Sequence, residues 1–281
     1  AGYIMTWGSN VPLTRTPDAH FLTEVRYKGT KVVSVSPDYA ESTTSSDAWL
    51  NVKAGTDAAL AMAMGHVILK EYYIDKETPY FKEYAKEFTD MPFLVRVEDI
   101  NGTVQPGRFL NAKDLGRQEE GSDFQMVLID ETTNEIVVPN GTMGDRHTHP
   151  EKWNLRLENR DTGAKIDPRL SVFDQREDVT VVKLPYFGDE EHEGVIERAI
   201  PTITVQTVDG PVKVTTVYDL ILANYGIDRG IGGEVAKAYT DDTPYTPTWQ
   251  EKITGVKADI AIATAREFAD NAEKTKGRSM I

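Results

Sequence analysis

Gly29-Thr30-Lys31-Val32-Val33-Ser34-Val35-Ser36-Pro37-Asp38 holds a helix stop, a strand and a turn within ten residues. Gly29 is the residue type that ends helices in the left-handed conformation. Residues 31–35 form a β-branched run and predict a strand. Ser36-Pro37-Asp38-Tyr39 then predicts a turn, with Pro37 at its first corner. Upstream of the stop, Thr16 predicts an N-cap and Pro17 a first helical position, for a helix over 18–28. Before it, Tyr3-Ile4-Met5-Thr6-Trp7 reads as a strand that runs into Gly8-Ser9-Asn10 and a loop. Downstream, a short strand is predicted at 49–52. Gly55-Thr56-Asp57 then opens a helix over 57–71, with Thr56 as its N-cap. Residues 58–64 are apolar on every helical face, so this helix is expected to be buried all round. Strands alternating with helices imply an α/β fold with a parallel, Rossmann-like sheet.

Beyond this lobe the pattern changes. Thr78-Pro79 predicts the start of a helix over 78–90, with Phe81, Tyr84, Ala85 and Phe88 on one face. Between 93 and 215 apolar runs shorten and turn signals multiply: Asn101-Gly102, Asn140-Gly141, Asp161-Thr162-Gly163 and Asp209-Gly210. Hairpins are expected from 124–130 with 135–138, and from 203–208 with 212–216 about Asp209-Gly210-Pro211. From 216 onward helices return. Thr216-Val217-Tyr218-Asp219 resembles a capping box, and Gly226 stops the helix it opens. Thr246-Pro247 starts a short helix ending before Gly255. A helix over 257–272 is expected to be amphipathic through Ile260, Thr264 and Phe268, with a strand just begun at Ser279-Met280-Ile281. Three regions are therefore expected: a Rossmann-like lobe over 1–92, a β-rich insertion over 93–215 and a helical segment over 216–281. Strands beginning and ending so close to the termini predict that the chain is an internal piece of a longer protein.

Composition narrows the function. The 281 residues carry 31 basic and 45 acidic side chains, a net charge of −14. A surface so acidic repels phosphate backbones and anionic lipid, which argues against nucleic-acid and membrane-surface binding. No apolar run approaches the length of a transmembrane helix. There is no cysteine, so thiolate nucleophiles, disulfides and cysteine-ligated zinc or iron–sulfur sites are excluded within this chain.

Three short motifs carry the chemistry. Gly8-Ser9-Asn10 stands where a parallel strand ends, the side of an open α/β sheet on which ligands sit. Glycine admits a phosphate close to the backbone, but the same residues also serve as an ordinary turn. Asp38 follows the second strand, where a carboxylate commonly accepts from ribose hydroxyls. The interval from Gly8 is too long for a dinucleotide fingerprint, and no Gly-x-Gly-x-x-Gly follows the first strand, which counts against an NAD site. Gly55-Thr56-Asp57 is accounted for by helix capping and dipole compensation. It equally offers a carboxylate able to accept two hydrogen bonds from a guanine edge. His147-Thr148-His149 with Asp145, and the acidic run Asp189-Glu190-Glu191-His192-Glu193, lack the spacing of a metal site. Arg15 and His20 flank the first loop, as phosphate contacts or as surface ion pairs. No catalytic residue and no metal ligand is assigned.

Taken together and in this order, the three motifs resemble those of the molybdopterin oxidoreductases related to dimethyl sulfoxide reductase, formate dehydrogenase and the nitrate reductases. Trp7-Gly8-Ser9-Asn10-Val11-Pro12, residues 14–31, Thr215-Thr216-Val217-Tyr218-Asp219-Leu220, Leu222-Ala223-Asn224-Tyr225-Gly226, Ile253-Thr254-Gly255-Val256 and residues 265–272 are similar, more narrowly, to the alpha subunits of the membrane-bound respiratory nitrate reductases. Trp153-Asn154-Leu155 and Pro185-Tyr186-Phe187-Gly188 add to the likeness across 95–210, where it is weakest.

The resemblance implies that Gly8, Ser9 and Asn10 line the phosphates of a molybdopterin guanine dinucleotide. It implies that Ser36, Pro37, Asp38 and Tyr39 face its guanosine ribose and phosphate. Gly55 and Thr56 then present Asp57, which reads guanine. It implies a parent enzyme with a molybdenum bis(molybdopterin guanine dinucleotide) and a 4Fe-4S cluster, the cluster's Cys and His ligands and the molybdenum-ligating Asp lying outside these residues. That enzyme reduces nitrate to nitrite with electrons from quinol, through an iron–sulfur beta subunit and a membrane gamma subunit, at the cytoplasmic face of the membrane. The chain alone is expected to be inactive. The residues by themselves leave a second reading open, a non-catalytic nucleotide-binding or interaction domain. Upstream cysteines in the native gene and coding sequence beyond Ile281 separate the two.

Overall fold

The computed structural model describes residues 1–141, 156–186 and 194–281. They form two compact units: residues 1–80 with 236–281, and residues 81–235.

The first unit is built on a parallel sheet of β1 (Tyr3–Trp7), β2 (Lys31–Ser36), β3 (Ala48–Asn51) and the chain-terminal β11 (Ser279–Met280), in the order β11-β1-β2-β3. Tyr3 pairs with Lys31 and Trp7 with Val35, while Ser36 pairs with Asn51. The carboxyl ends of β1, β2 and β3 therefore open on one edge. Alternation decides what each face carries. Met5, Val33, Val35 and Leu50 face a core completed by Leu60, Met64 and Val67 of α4 (Asp57–Ile68) and by Ala261 and Ala265 of α8 (Ala258–Thr275). Each large side chain fully buried here stabilises the unit by about 2 kcal/mol.

Between β1 and β2 the chain makes α1 (Val11–Thr14) and α2 (Thr16–Tyr27); α3 (Glu41–Thr44) follows β2. The loop expected after Asn10 is thus a single helical turn. Thr16 is inside α2 rather than capping it: its hydroxyl donates backward to the carbonyls of Pro12 and Leu13, which α1 brings within reach. Gly29 follows the end of α2 as expected, and the Thr30 amide closes back on the Val25 carbonyl at 3.1 Å. Asp47 ties three elements together, accepting from Arg26 of α2 at 2.8 Å and from the Val32 amide of β2 at 2.7 Å.

Two expectations about helix burial fail for one reason. Ala58 and Ala61 of α4 are exposed. In α8, Ile260 is exposed and the buried stripe is Ala261, Thr264, Ala265, Ala269 and Ala272. Alanine costs little at a solvent face and allows close helix packing at a buried one, so its hydropathy does not tell the faces apart. After Ile68 the helix also widens into a π turn over Leu69–Asp75, where a continuous α-helix to 71 is expected.

The second unit holds a five-stranded antiparallel sheet, order β5-β4-β10-β9-β8, from β4 (Leu94–Ile100), β5 (Thr103–Phe109), β8 (Asp178–Pro185), β9 (Val195–Thr207) and β10 (Gly210–Thr216). Its edge strands β5 and β8 approach each other, so the sheet curls. The core joins Leu94, Leu110, Val127, Val172, Val205 and Val214. The two expected hairpins form with shifted limits. Only β6 (Leu128–Ile129) and β7 (Ile136–Val137) pair in the first, because Ser122–Phe124 is taken into a 3-10 turn. In the second, Gly210 already pairs with Thr207, so the turn is Val208-Asp209. The helix α5 (Pro79–Phe88), within which the chain passes between the units, buries Ala85 but leaves Tyr84 and Phe88 exposed, narrowing the expected face. Thr216 caps α6 (Val217–Asn224) and Thr246 caps α7 (Pro247–Thr254), each accepting from the amide three residues on. Among the described residues no helix is long and apolar enough to cross a membrane.

Carboxylates in this unit make its stability pH-dependent. Burial pushes the Asp114 carboxyl up, but Arg108, donating at 2.7 Å, together with the Asn111 amide and the charge of Arg96, outweighs burial and holds it below the usual range. Arg117, donating at 2.8 Å, does the same for Asp161. A lowered folded-state value means the stabilisation is complete above the ordinary carboxylate value and is lost as pH falls from there through the lowered folded-state value. Thermal unfolding scanned against pH is therefore expected to show a midpoint dropping below about pH 4. Arg108→Gln and Arg117→Gln flatten that drop. An unchanged slope in both variants contradicts the assignment.

Candidate cofactor-binding site

The three sequence motifs meet at the carboxyl edge of the parallel sheet. Gly8-Ser9-Asn10 leaves β1, Ser36-Pro37-Asp38-Tyr39 leaves β2, and Gly55-Thr56-Asp57 leads from β3 into α4. Gly8, Ser9, Pro37, Asp38, Tyr39 and Gly55 are exposed; Asn10, Ser36, Thr56 and Asp57 are half-buried.

Hydrogen bonds brace these turns against one another. The Gly8 amide donates to the Val35 carbonyl at 3.1 Å, holding the first turn beside β2. The Ser42 hydroxyl of α3 donates to the Ser9 carbonyl at 2.9 Å and accepts from the Val11 amide at 3.1 Å. The Asn10 amide group donates to Glu41 at 3.0 Å and holds that carboxyl below its ordinary range. Across the second turn, Ser36 donates to the Asp38 carbonyl at 2.5 Å. The Trp49 indole of β3 donates to the Ser36 carbonyl at 3.0 Å, and the Tyr39 ring meets Trp49 edge-on at 5.3 Å. At the third, the Trp7 indole donates to Asp57 Oδ1 at 2.7 Å. Thr56 precedes α4 as expected, yet its hydroxyl donates backward to the Lys53 carbonyl at 2.6 Å instead of capping the first turn. The leading amides of α4 are thereby left without a side-chain cap, as at an anion-receiving helix start.

This donor set fits a nucleotide. Gly8, at φ +61°, has nothing within 4 Å of where a Cβ would stand, so its backbone is open to close approach. Any other residue there is strained by its own conformation. Gly55, at φ +80°, is equally open. Asp57 Oδ2 has no hydrogen-bond partner among the described residues. His20 lies 3.9 Å from Glu24 and rests on Phe21, whereas Arg15, exposed beside the first turn, makes no ion pair among the described residues. Trp7 stands at the head of the first motif in the sequence, but its contact with Asp57 was not read there, and Trp49, Glu41 and Ser42 were not singled out as site residues. Trp7, a tryptophan at the end of a strand, carried a signal of its own; the other three carried none.

Elsewhere, no group of three or more His, Cys, Asp or Glu among the described residues is arranged to hold a metal ion. Residues 145–149 and 189–193, and the stretches 153–155 and 187–188, lie outside the described residues.

The parallel sheet carries its three open, braced turns on the carboxyl edge, the side on which open α/β sheets receive ligands. Residues 1–275 match the family described as Molybdopterin oxidoreductase, and the chain belongs to that family. It is 52% identical over 281 residues to the nitrate reductase alpha chain of Bacillus subtilis (strain 168), covering 100% of this chain and 23% of that protein. It is 48% identical over 294 residues to the respiratory nitrate reductase 1 alpha chain of Escherichia coli (strain K12), covering 100% and 24%. To the perchlorate reductase subunit alpha of Dechloromonas aromatica (strain RCB) it is 40% identical over 268 residues, covering 95% and 23%. The chain thus spans about a quarter of the length of these relatives.

Proposed function

We propose that this chain is the part of a respiratory nitrate reductase catalytic subunit that cradles one molybdopterin guanine dinucleotide. The observation that carries the reading is the convergence of Gly8–Asn10, Ser36–Tyr39 and Gly55–Asp57 on one sheet edge, in a chain about half identical to nitrate reductase alpha chains. Gly8, Ser9 and Asn10 receive the phosphates through open backbone and short polar side chains. Ser36, Pro37, Asp38 and Tyr39 face the ribose, with Asp38 able to accept from its hydroxyls. Gly55 and Thr56 turn the chain so that Asp57 meets guanine's N1–H and 2-amino group, two parallel donors matched to one carboxylate.

When bound, the cofactor supplies the molybdenum centre for oxygen-atom transfer from nitrate, with nitrite as product. This chain contributes position and electrostatics. Having no cysteine, it leaves the 4Fe-4S cluster to other parts of the enzyme, and quinol electrons reach the subunit through an iron–sulfur partner and a membrane partner at the cytoplasmic face. The higher identity to nitrate than to perchlorate reductases favours nitrate as the oxyanion.

The full-length protein carrying this chain is expected to reduce nitrate with an artificial electron donor and to release GMP on acid hydrolysis. The 281-residue chain alone is expected to do neither. Nitrate turnover by the chain alone, or a full-length protein without guanine nucleotide, is incompatible with the proposal.

A further inference from the structure

Trp7 is the last residue of β1, and its ring packs half-buried on the core of the first unit. Its one polar atom, Nε1, donates to Oδ1 of Asp57, the first residue of α4, at 2.7 Å and across 50 positions of chain. An indole nitrogen is a donor only, so the contact requires an acceptor at Oδ1 and fixes which carboxylate oxygen is turned inward. The other oxygen, Oδ2, has no partner among the described residues. The carboxylate torsion of aspartate is otherwise broad and two-fold, so an untethered Asp57 samples many orientations. A tethered one meets a ligand already aligned, and its ordering is not charged against binding.

We propose that Trp7 is a positioning residue for guanine recognition. Its indole N–H holds the Asp57 carboxylate in the orientation that accepts N1–H and the 2-amino group together. This rests on reading Asp57 as the guanine contact. The less specific role, a strap joining β1 to α4, leaves every nucleotide equally affected when the N–H is removed. The positioning role predicts a selective loss, because adenine presents no such pair of donors and gains nothing from an aligned carboxylate.

The test is calorimetric titration of the full-length protein, prepared free of cofactor, with GDP and with ADP. Trp7→Phe keeps an aromatic ring. Replacement of Trp7 by benzothienylalanine keeps the whole ring shape and removes only the N–H, so a folding defect in the first variant does not decide the outcome. Asp57→Asn is run in parallel. Both Trp7 variants are expected to bind GDP about fivefold to tenfold more weakly, a loss in the range of one ordinary hydrogen bond, with ADP binding unchanged. Equal losses for GDP and ADP, or no loss in the benzothienylalanine protein while Asp57→Asn removes the GDP preference, overturn the role of Trp7 and leave the guanine reading intact. A GDP preference that survives Asp57→Asn, or is absent from the natural protein, overturns the guanine reading and this inference with it.

Discussion

Asp57→Asn is expected to weaken GDP binding to the cofactor-free full-length protein about 100-fold while leaving ADP binding unchanged. Asparagine removes one of the two acceptors offered to guanine; a hydrogen bond to a charged acceptor contributes roughly 1.5–3 kcal/mol, and a loss of about 2.7 kcal/mol is a factor of 100. The substitution is nearly isosteric. Its carbonyl can still accept from Trp7 Nε1, now 2.7 Å from Oδ1, and asparagine is tolerated at a helix start. The amide nitrogen then stands where Oδ2 stood and points a donor at guanine's donors. Xanthosine diphosphate, which carries a carbonyl in place of the 2-amino group, becomes the better ligand. GDP affinity unchanged in Asp57→Asn, or lost equally with that of ADP, means that Asp57 does not read the base.

The largest stability effect is expected at Asp219 of α6. Its carboxylate is fully buried and accepts four hydrogen bonds: from the Ser171 hydroxyl at 2.6 Å, Arg229 at 2.7 Å, and the Val172 amide and Thr216 hydroxyl, both at 2.9 Å. The Arg229 side chain is itself 9% exposed and lies over the Phe173 ring. Asp219→Ala strands that guanidinium and three neutral donors in a buried space. Breaking one side of such a pair costs about 3–5 kcal/mol, much of the stability of an ordinary domain. Adding Arg229→Met is expected to restore part of the loss, because the stranded charge goes with it. Denaturant titration of the two variants measures this directly. A single variant within about 1 kcal/mol of the natural protein would falsify the view that this buried cluster holds the second unit together.

The parts of this molecule legible in its sequence are those that local chemistry decides. The β-branched run at 31–35 could hardly be anything but a strand, and Gly29 and Gly255 end helices as glycine does. Thr216 and Thr246 cap helices because hydroxyl, spacing and Pro247 agree. Parallel order followed from strand–helix alternation alone, and it gathers Gly8, Ser36 and Asp57 on one edge.

What escaped was decided at a distance or by residues indifferent to their surroundings. The contact of Trp7 with Asp57 exists only once 50 residues have folded between them. Thr16 looked like a cap because nothing local announced that Pro12 and Leu13 would already be helical. The alanines of α4 and α8 carry no signal of which face is wet. In the curled sheet, turn residues marked the hairpin about Asp209 but left its limits free by a residue or more, and the pairing of 178–185 with 195–207 was not read from sequence.

The most direct measurement of the central claim is an experimental structure of the cofactor-loaded full-length protein. Guanine is expected with N1 and its 2-amino nitrogen about 3 Å from the Asp57 carboxylate, the phosphates against Gly8–Asn10 and the ribose beside Ser36–Tyr39. A guanine nucleotide bound elsewhere, with these three turns facing only protein or solvent, contradicts it.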